Sequence, residues 1–277
     1  MTIVYCVDSL TRMPAISPFL TSGLQVLTTP VLEMIRGIPE YGSIVVLTGA
    51  GVSQESGVAT FRDSNGLWEN HRVEDVATPE AYRRNPQLVQ DFYNARRRQV
   101  GTVHPNKAHQ ALVQLERQWK GDFLLVTQNV DDLHDRAGSK NLIHMHGEIQ
   151  KVRCTKCHHI LDHNKDVTLD MSCIACNAKG CVRPHIVWFG EMPLEMDRIE
   201  QALNDCDLFI AIGTSGEVYP AAGFMQLARM AGAKTLELNL QSTGRSNHFH
   251  QGVYGPAGTV VPEVVTTLLQ RTGATHL

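Results

Sequence analysis

Four cysteines in two tight pairs, Cys154-x2-Cys157 and Cys173-x2-Cys176, constrain this chain more than any other feature. Four thiolates at that spacing can close a tetrahedron around one zinc ion, and the loop between them has the length of a small ribbon. Such a zinc has no open position for water, so it is structural. Cys181, behind Cys176, is the one competing ligand, and its x4 spacing fits the ribbon less well. The pairs follow His146-Gly147 closely, and a metal site so near a candidate catalytic histidine reads as an insertion in an enzyme. Metal-type pairing of cysteines suits a reducing compartment, with Cys6, Cys181 and Cys206 left as free thiols.

With 277 residues, 43% hydrophobic and 19% charged, the chain can bury one large core and a smaller one. A net charge of −3 exerts no general pull on nucleic acid or anionic membrane, and Arg96, Arg97 and Arg98 read as a solvated helix face. Asp8, Arg12, Pro14, Pro18 and Pro30 interrupt any apolar run that could form a signal-peptide core, and no later window reaches transmembrane length. The expectation is a cytoplasmic protein whose residues 1–41 form a loosely attached N-terminal extension without chemistry.

From Ser43 onward short apolar runs alternate with amphipathic stretches, the pattern of an α/β fold around a parallel sheet. Strands are predicted at 44–47, 123–126, 142–143, 208–212 and 235–238. Helices are predicted at 105–119, at 220–230 and from Pro262, where a missing N–H costs nothing. Residues 42–61, 103–147 and 186–277 together read as a Rossmann-like, doubly wound domain. Residues 62–102 and 148–185 break the alternation and read as a smaller inserted domain, a helical part plus the zinc-binding module.

Gly49, Ala50, Gly51, Val52 and Ser53 directly follow the first strand, with Glu55, Ser56 and Gly57 beyond. Glycines at a strand-to-helix turn let the backbone approach a pyrophosphate, whose charge the helix-start N–H groups stabilise. Gln54 occupies the third glycine position of the usual fingerprint, so on this fragment alone a plain tight turn competes. Gln128, Asn129, Val130 and Asp131 end the second strand, where open parallel sheets bind ligands; helix capping is the alternative. Gly213, Thr214 and Ser215 after the fourth strand and Asn239 at the fifth extend a series that capping explains only singly. His146, after the third strand, can act as a base near pH 7, although a histidine taken alone is more often structural.

In chain order, the loop from Gly49, the run from Gly57 to Arg62, Thr127 to Asp131, His146-Gly147, the cysteine pairs, Val187 to Glu191, Gly213 to Ser215 and Asn239-Leu240 resemble the sirtuin family of NAD-dependent protein deacylases. The resemblance implies that NAD is covered by the Gly49 loop through Thr60, Phe61 and Arg62 to Trp68. Gln128, Asn129, Val130 and Asp131 would line the nicotinamide and ribose pocket, and Gly213, Thr214, Ser215, Asn239, Leu240, Gln241 and Ala257 would hold the adenosine half. Val187, Trp188, Phe189, Gly190 and Glu191 would seat the substrate peptide as an added strand. In the implied reaction the acyl oxygen of a modified lysine displaces nicotinamide and His146 deprotonates a ribose hydroxyl, giving free lysine and 2'-O-acyl-ADP-ribose. The resemblance also implies one structural zinc and a monomer acting on acylated lysines of cellular proteins, with neither nucleic acid nor membrane as partner. The chain departs from many members at Ala59 and Thr60, where Pro and Asp are usual, and at Gln241, where an acidic residue is usual.

Tyr93 and Arg96, three residues apart, share one helix face. A phenol beside a guanidinium can hold a carboxylate that an acetyl group lacks, whereas the plainer reading packs a tyrosine on an arginine stem. The pair resembles the Tyr-x-x-Arg of class III sirtuins, which implies removal of succinyl and malonyl groups beside acetyl. An NAD-dependent ADP-ribosyltransferase is the rival within the cofactor class. A zinc-ribbon nucleic-acid-binding regulator is the rival outside it, against the absence of broad basic charge.

Overall fold

The computed structural model describes residues 27–58, 67–68 and 71–271. Thr60, Phe61 and Arg62, the side chain of Trp68 and residues 1–26, including Cys6, lie outside that description.

Helix α1 (Thr29–Arg36) precedes strand β1 (Ile44–Thr48). A small ribbon of β2 (Leu67–Trp68) and β3 (His71–Arg72) leads to helices α2 (Val73–Val76), α3 (Pro79–Arg84) and α4 (Pro86–Val100). Thr78 and Asn85 cap α3 and α4 by accepting from Ala81 N and Leu88 N, and a proline opens each helix where no N–H is needed. Then come α5 (Lys107–Gln118), β4 (Phe123–Thr127), α6 (Leu133–Ala137) and β5 (Leu142–His144). The middle of the chain forms β6 (Gly147–Cys154), β7 (Ile160–Asp162) and β8 (Val182–Ile186). The last part alternates α7 (Met196–Asp205), β9 (Leu208–Ile212), α8 (Phe224–Met230), β10 (Lys234–Asn239), β11 (Gln251–Tyr254) and α9 (Ala257–Arg271).

The main sheet runs β11-β10-β9-β1-β4-β5, parallel throughout, with Thr48 level with Thr127 on one side and Ile212 on the other. Chain order reverses between β1 and β9, the switch point where doubly wound sheets open a crevice. Strands covered on both faces must be apolar at every position, and β1, β4 and β9 are buried along their whole length. Ile44 and Val46 pack under α1, α5 and α9 with Ile35, Leu112 and Val261. Val45 and Leu47 point to the other face, against Ile199 and Leu203 of α7 and Phe224 of α8.

The second sheet, β7-β6-β8, is antiparallel and carries the cysteine pairs. Gly147 opens it at φ +82°, and a Cβ there would fall 2.1 Å from the His185 carbonyl oxygen, so only glycine fits. Helix α4 docks on this sheet and the segment between β7 and β8 by buried polar contacts: Gln90 Nε2 donates to Val182 O, Asn94 Nδ2 to Val167 O and Arg97 Nε to Ile149 O, each at 2.9 Å.

Five expectations need correction. Val31 and Ile35 of α1 are fully buried beside Leu27 and Ile38, so the chain from residue 27 is part of the core and not a loose extension. Arg97 is buried, its guanidinium donating to Ile149 O and Asn94 Oδ1, and Arg96 is half-buried on the cleft side, so only Arg98 of the three is left to a solvated face. The closing helix begins at Ala257, five residues before Pro262, and buried Val260, Val261, Val264 and Leu268 hold it despite the lost backbone bond. Residues 148–185 carry three strands where few were legible. Strand β11 was missed because Gln251–Tyr254 is a short, half-buried edge strand containing a glycine.

Candidate active site

The carboxyl ends of β1, β4, β5, β9 and β10 open into one cleft of about 860 Å³. Gly49, Gln128, His146, Gly213 and Asn239 reach it from those successive strand ends, so the parallel register alone gathers residues spread over most of the chain. The Gly49 turn continues as two three-residue 3-10 turns, Ala50–Val52 and Gln54–Ser56, in place of the α-helix start read from sequence. The glycines serve close packing: a Cβ on Gly49 would lie 2.8 Å from Gly213 O, and one on Gly51 would lie 2.7 Å from Gly213 Cα. Asn106, the N-cap of α5, ties the same loop down by donating to Val52 O at 2.8 Å and Ser56 Oγ at 3.0 Å. Glu55 Oε1 accepts from Gly258 N at the start of α9.

Beneath the wall, Asn129 Nδ2 donates to Gly49 O and to Ser53 Oγ, both at 3.1 Å, and Ser53 Oγ donates to Asp131 Oδ2 at 3.0 Å. These bonds spend both amide protons of Asn129 and leave its carbonyl oxygen as the end that accepts. Burial pushes the Asp131 carboxyl above its ordinary range, only partly opposed by the bonds from Leu133 N and Ser53. Gln128 Nε2 donates to Thr214 Oγ1 at 3.2 Å and Asn239 Nδ2 to Thr214 O at 2.8 Å, joining the ends of β4, β9 and β10.

His146 Nδ1 lies 3.0 Å from Gln128 O. A carbonyl only accepts, so Nδ1 carries the proton and Nε2 keeps its lone pair. Burial lowers the imidazole pKa and the Gln128 bond restores part of it, which leaves a neutral base at pH 7.

Two further histidines lie deeper, with ring centroids 4.7 Å apart: His109 accepts from Asn106 N, and His134 Nε2 lies 3.0 Å from Thr48 Oγ1. Burial holds His109 down to about 4 and His134 well below its ordinary 6.5. The unfolded chain therefore takes up protons that the folded state refuses, and stability must fall as pH drops from about 6.5 toward 4. Urea midpoints measured across that range should decline, and His109→Asn should flatten the decline; an unchanged slope would refute the assignment.

Arg96 lines the cleft from α4, and Tyr93, fully buried, stands immediately behind the same wall. Trp188 Nε1 donates to Tyr93 Oη at 3.0 Å, and burial keeps that phenol far above its ordinary pKa, hence protonated. Of the predicted shelf, Val187, Trp188, Phe189, Gly190 and Glu191 all line the same cleft, as do Ala50, Gly51, Glu55, Val130, Ser215, Leu240, Gln241 and Ala257. Val52 and Ser53 are buried behind the wall, and Ser56 turns to Asn106. Gly57 holds the left-handed φ of +90° that ends the second turn. Asn106, at the N-cap of α5, and Arg153 and Arg183, on β6 and β8, were not anticipated, since a single Asn or Arg carries no periodic signal.

The sulfur atoms of Cys154, Cys157, Cys173 and Cys176 all lie within 4.8 Å of one another, with Cys154–Cys176 at 3.8 Å and Cys157–Cys173 at 3.6 Å. Tetrahedral zinc thiolates stand roughly 3.8 Å apart, so the donor set fits zinc. Lys156 N and Cys157 N donate to Cys154 Sγ, as suits a thiolate. Cys181 Sγ lies 3.4 Å from Cys154 Sγ but donates to Ala178 O at 3.0 Å, which marks it as a thiol beside the site.

A doubly wound sheet with an imidazole base and an amide cluster at its switch point, joined to a four-cysteine module, defines a dinucleotide-using enzyme. The Sir2 family model matches residues 49–220. The NAD-dependent protein deacylase of Escherichia coli strain K12 is 57% identical over 229 residues, covering 82% of each chain. A Sir2 homologue solved as its NAD complex superposes with a TM-score of 0.80 at 37% identity, over 89% of this chain and 96% of that one. A mutant homologue with bound 2'-O-acetyl ADP-ribose gives 0.81 at 35% identity, over 91% and 100%. The chain belongs to the Sir2 family, the sirtuins.

Among the described residues no helix is long and apolar enough to cross a membrane.

Proposed function

We propose that this chain is an NAD-dependent protein-lysine deacylase that removes acetyl, succinyl and malonyl groups. The observation that carries the reading is His146, held by Gln128 O with Nε2 unprotonated at the rim of the amide cluster. NAD, when bound, supplies the ribose carbon to which the acyl oxygen bonds as nicotinamide leaves. The chain's own residues do the rest. The Gly49 loop and Gly213 to Ser215 bring small, backbone-rich walls to the dinucleotide, and Asn129 offers a carbonyl oxygen suited to a carboxamide N–H. His146 Nε2 takes the proton of a ribose hydroxyl, and Val187 to Glu191 accept the peptide edge to edge. Four thiolates hold zinc away from this chemistry. A reducing cytoplasm suits the described cysteines, none of which forms a disulfide.

The test is nicotinamide release from NAD with acetyl-lysine or succinyl-lysine peptide. Release should depend on the acylated peptide and leave acyl-ADP-ribose; stable labelling of protein by labelled NAD would favour ADP-ribosyl transfer instead.

Selectivity among acyl groups rests on Tyr93 and Arg96, one helical turn apart at the cleft wall. A guanidinium and a protonated phenol both donate to a distal carboxylate, and a hydrogen bond to a charged group is worth about 1.5–3 kcal/mol. Arg96→Met should therefore lower kcat/KM for succinyl-lysine peptide about 10- to 150-fold while changing the acetyl value little. An unchanged succinyl-to-acetyl ratio would remove Arg96 from the reading.

A further inference from the structure

The carboxylate of Glu191 sits on the substrate shelf yet is committed inward. Arg183 donates to its two oxygens at 2.7 and 3.0 Å, Arg153 Nη2 lies 3.0 Å from both, and Trp188 N donates at 2.9 Å. Those donors outweigh the effect of burial and keep Glu191 ionised. A carboxylate so saturated is a fixture of the wall and not a hook for a basic peptide side chain. What it fixes is Arg183, a nearly buried guanidinium whose Cζ stands 3.2 Å from the centroid of the Trp188 ring. Trp188 is itself buried, and its indole N–H points at the Tyr93 oxygen.

Each link alters the next. A cation on the face of an indole draws electron density from the ring and sharpens its N–H as a donor. A hydroxyl that accepts a stronger bond becomes a stronger donor in turn. Packing keeps the geometry: Trp188 and Tyr93 share one apolar cluster with Phe92, Ile149 and Ile186, so the phenol cannot turn away without breaking that core.

We propose that Glu191, Arg183 and Trp188 form a specificity-determining relay that aims and strengthens the Tyr93 hydroxyl toward the distal carboxylate of succinyl- and malonyl-lysine. The inference rests on the assignment of Tyr93 and Arg96 to that carboxylate. Trp188 is then a positioning residue for acyl selectivity as well as part of the peptide shelf, and Arg183 is one without facing the ligand.

The decisive variant is Trp188→Phe, which keeps a six-membered aromatic ring near Arg183 and removes the N–H together with the indole's five-membered ring. The ratio of kcat/KM for succinyl to acetyl peptide should fall about three- to tenfold, the worth of one hydrogen bond, mainly through the succinyl KM. In a Tyr93→Phe background the same substitution should leave the ratio unchanged, because no hydroxyl remains to be aimed. Arg183→Lys keeps a cation on Glu191 but loses the stacked plane. It should shift the ratio in the same direction, and it decides the matter if circular dichroism shows Trp188→Phe misfolded. Equal losses on both peptides, or the same fall in ratio with and without the Tyr93 hydroxyl, would overturn the relay. If Arg96→Met lowers the ratio and neither relay variant does, the carboxylate reading stands and the relay falls. If Arg96→Met changes nothing, the carboxylate reading itself is wrong.

Discussion

His146→Ala should lower kcat for deacylation by about 10²- to 10⁴-fold, the range for loss of a positioned general base, with KM for peptide and NAD changed little. The imidazole is held by a single bond from Nδ1 to Gln128 O, so its removal takes away a proton acceptor without dismantling the wall. The pH dependence supplies a second signature. Protonation destroys the base, so activity falls as pH falls, and burial places the imidazole pKa below the ordinary 6.5. The acid limb of kcat/KM should therefore inflect below pH 6.5 in the wild-type enzyme and disappear in His146→Ala. Full activity in the variant, or an unchanged acid limb, would remove His146 from the chemistry.

The features easiest to read in sequence were those whose signal is local and periodic. Ile44–Thr48, Phe123–Thr127 and Leu208–Ile212 are unbroken apolar runs because both faces of each strand are covered, and burial of that kind leaves no alternative pattern. Once three such strands lie parallel, the residues after them must share one edge, which is why Gly49, Gln128 and Gly213 were recognisable as one site. The harder features depend on partners far along the chain. Nothing near Arg97 shows that its guanidinium ends on Ile149 O, and nothing near Asn106 shows that it holds Val52 O. Pro262 misled because proline marks a first turn in general, while here Val260, Val261 and Val264 bury enough surface to carry it inside the helix. Arg183 and Glu191 stood only eight residues apart, yet their pairing requires the turn after β8 that only the fold supplies.

Removal of zinc should abolish deacylation entirely, and by loss of structure rather than loss of a catalytic group. The apolar core of the module is small, chiefly Val152, Val167 and Val182 packed with Cys154, Cys173 and Cys181. Structural zinc contributes about 10–16 kcal/mol of binding energy in small metal-folded peptides, more than three valines supply. Without it, β6, β7 and β8 lose the clamp that joins their ends. The damage then travels through named contacts. Arg153, next to Cys154, and Arg183 of β8 release Glu191, while Gln90, Asn94 and Arg97 of α4 lose the carbonyls on which that helix is docked. Tyr93 and Arg96 ride on the same helix, so the acyl-binding wall goes with it. The parallel sheet has its own two-sided core and should survive. Chelation, or Cys154→Ser, should thus give a protein with no detectable turnover, a lost low-temperature melting transition and a persisting high-temperature one. Readdition of zinc should restore the chelated wild type but not the variant. Metal-free protein that kept both its fold and its rate would show that the four thiolates do not hold the wall together.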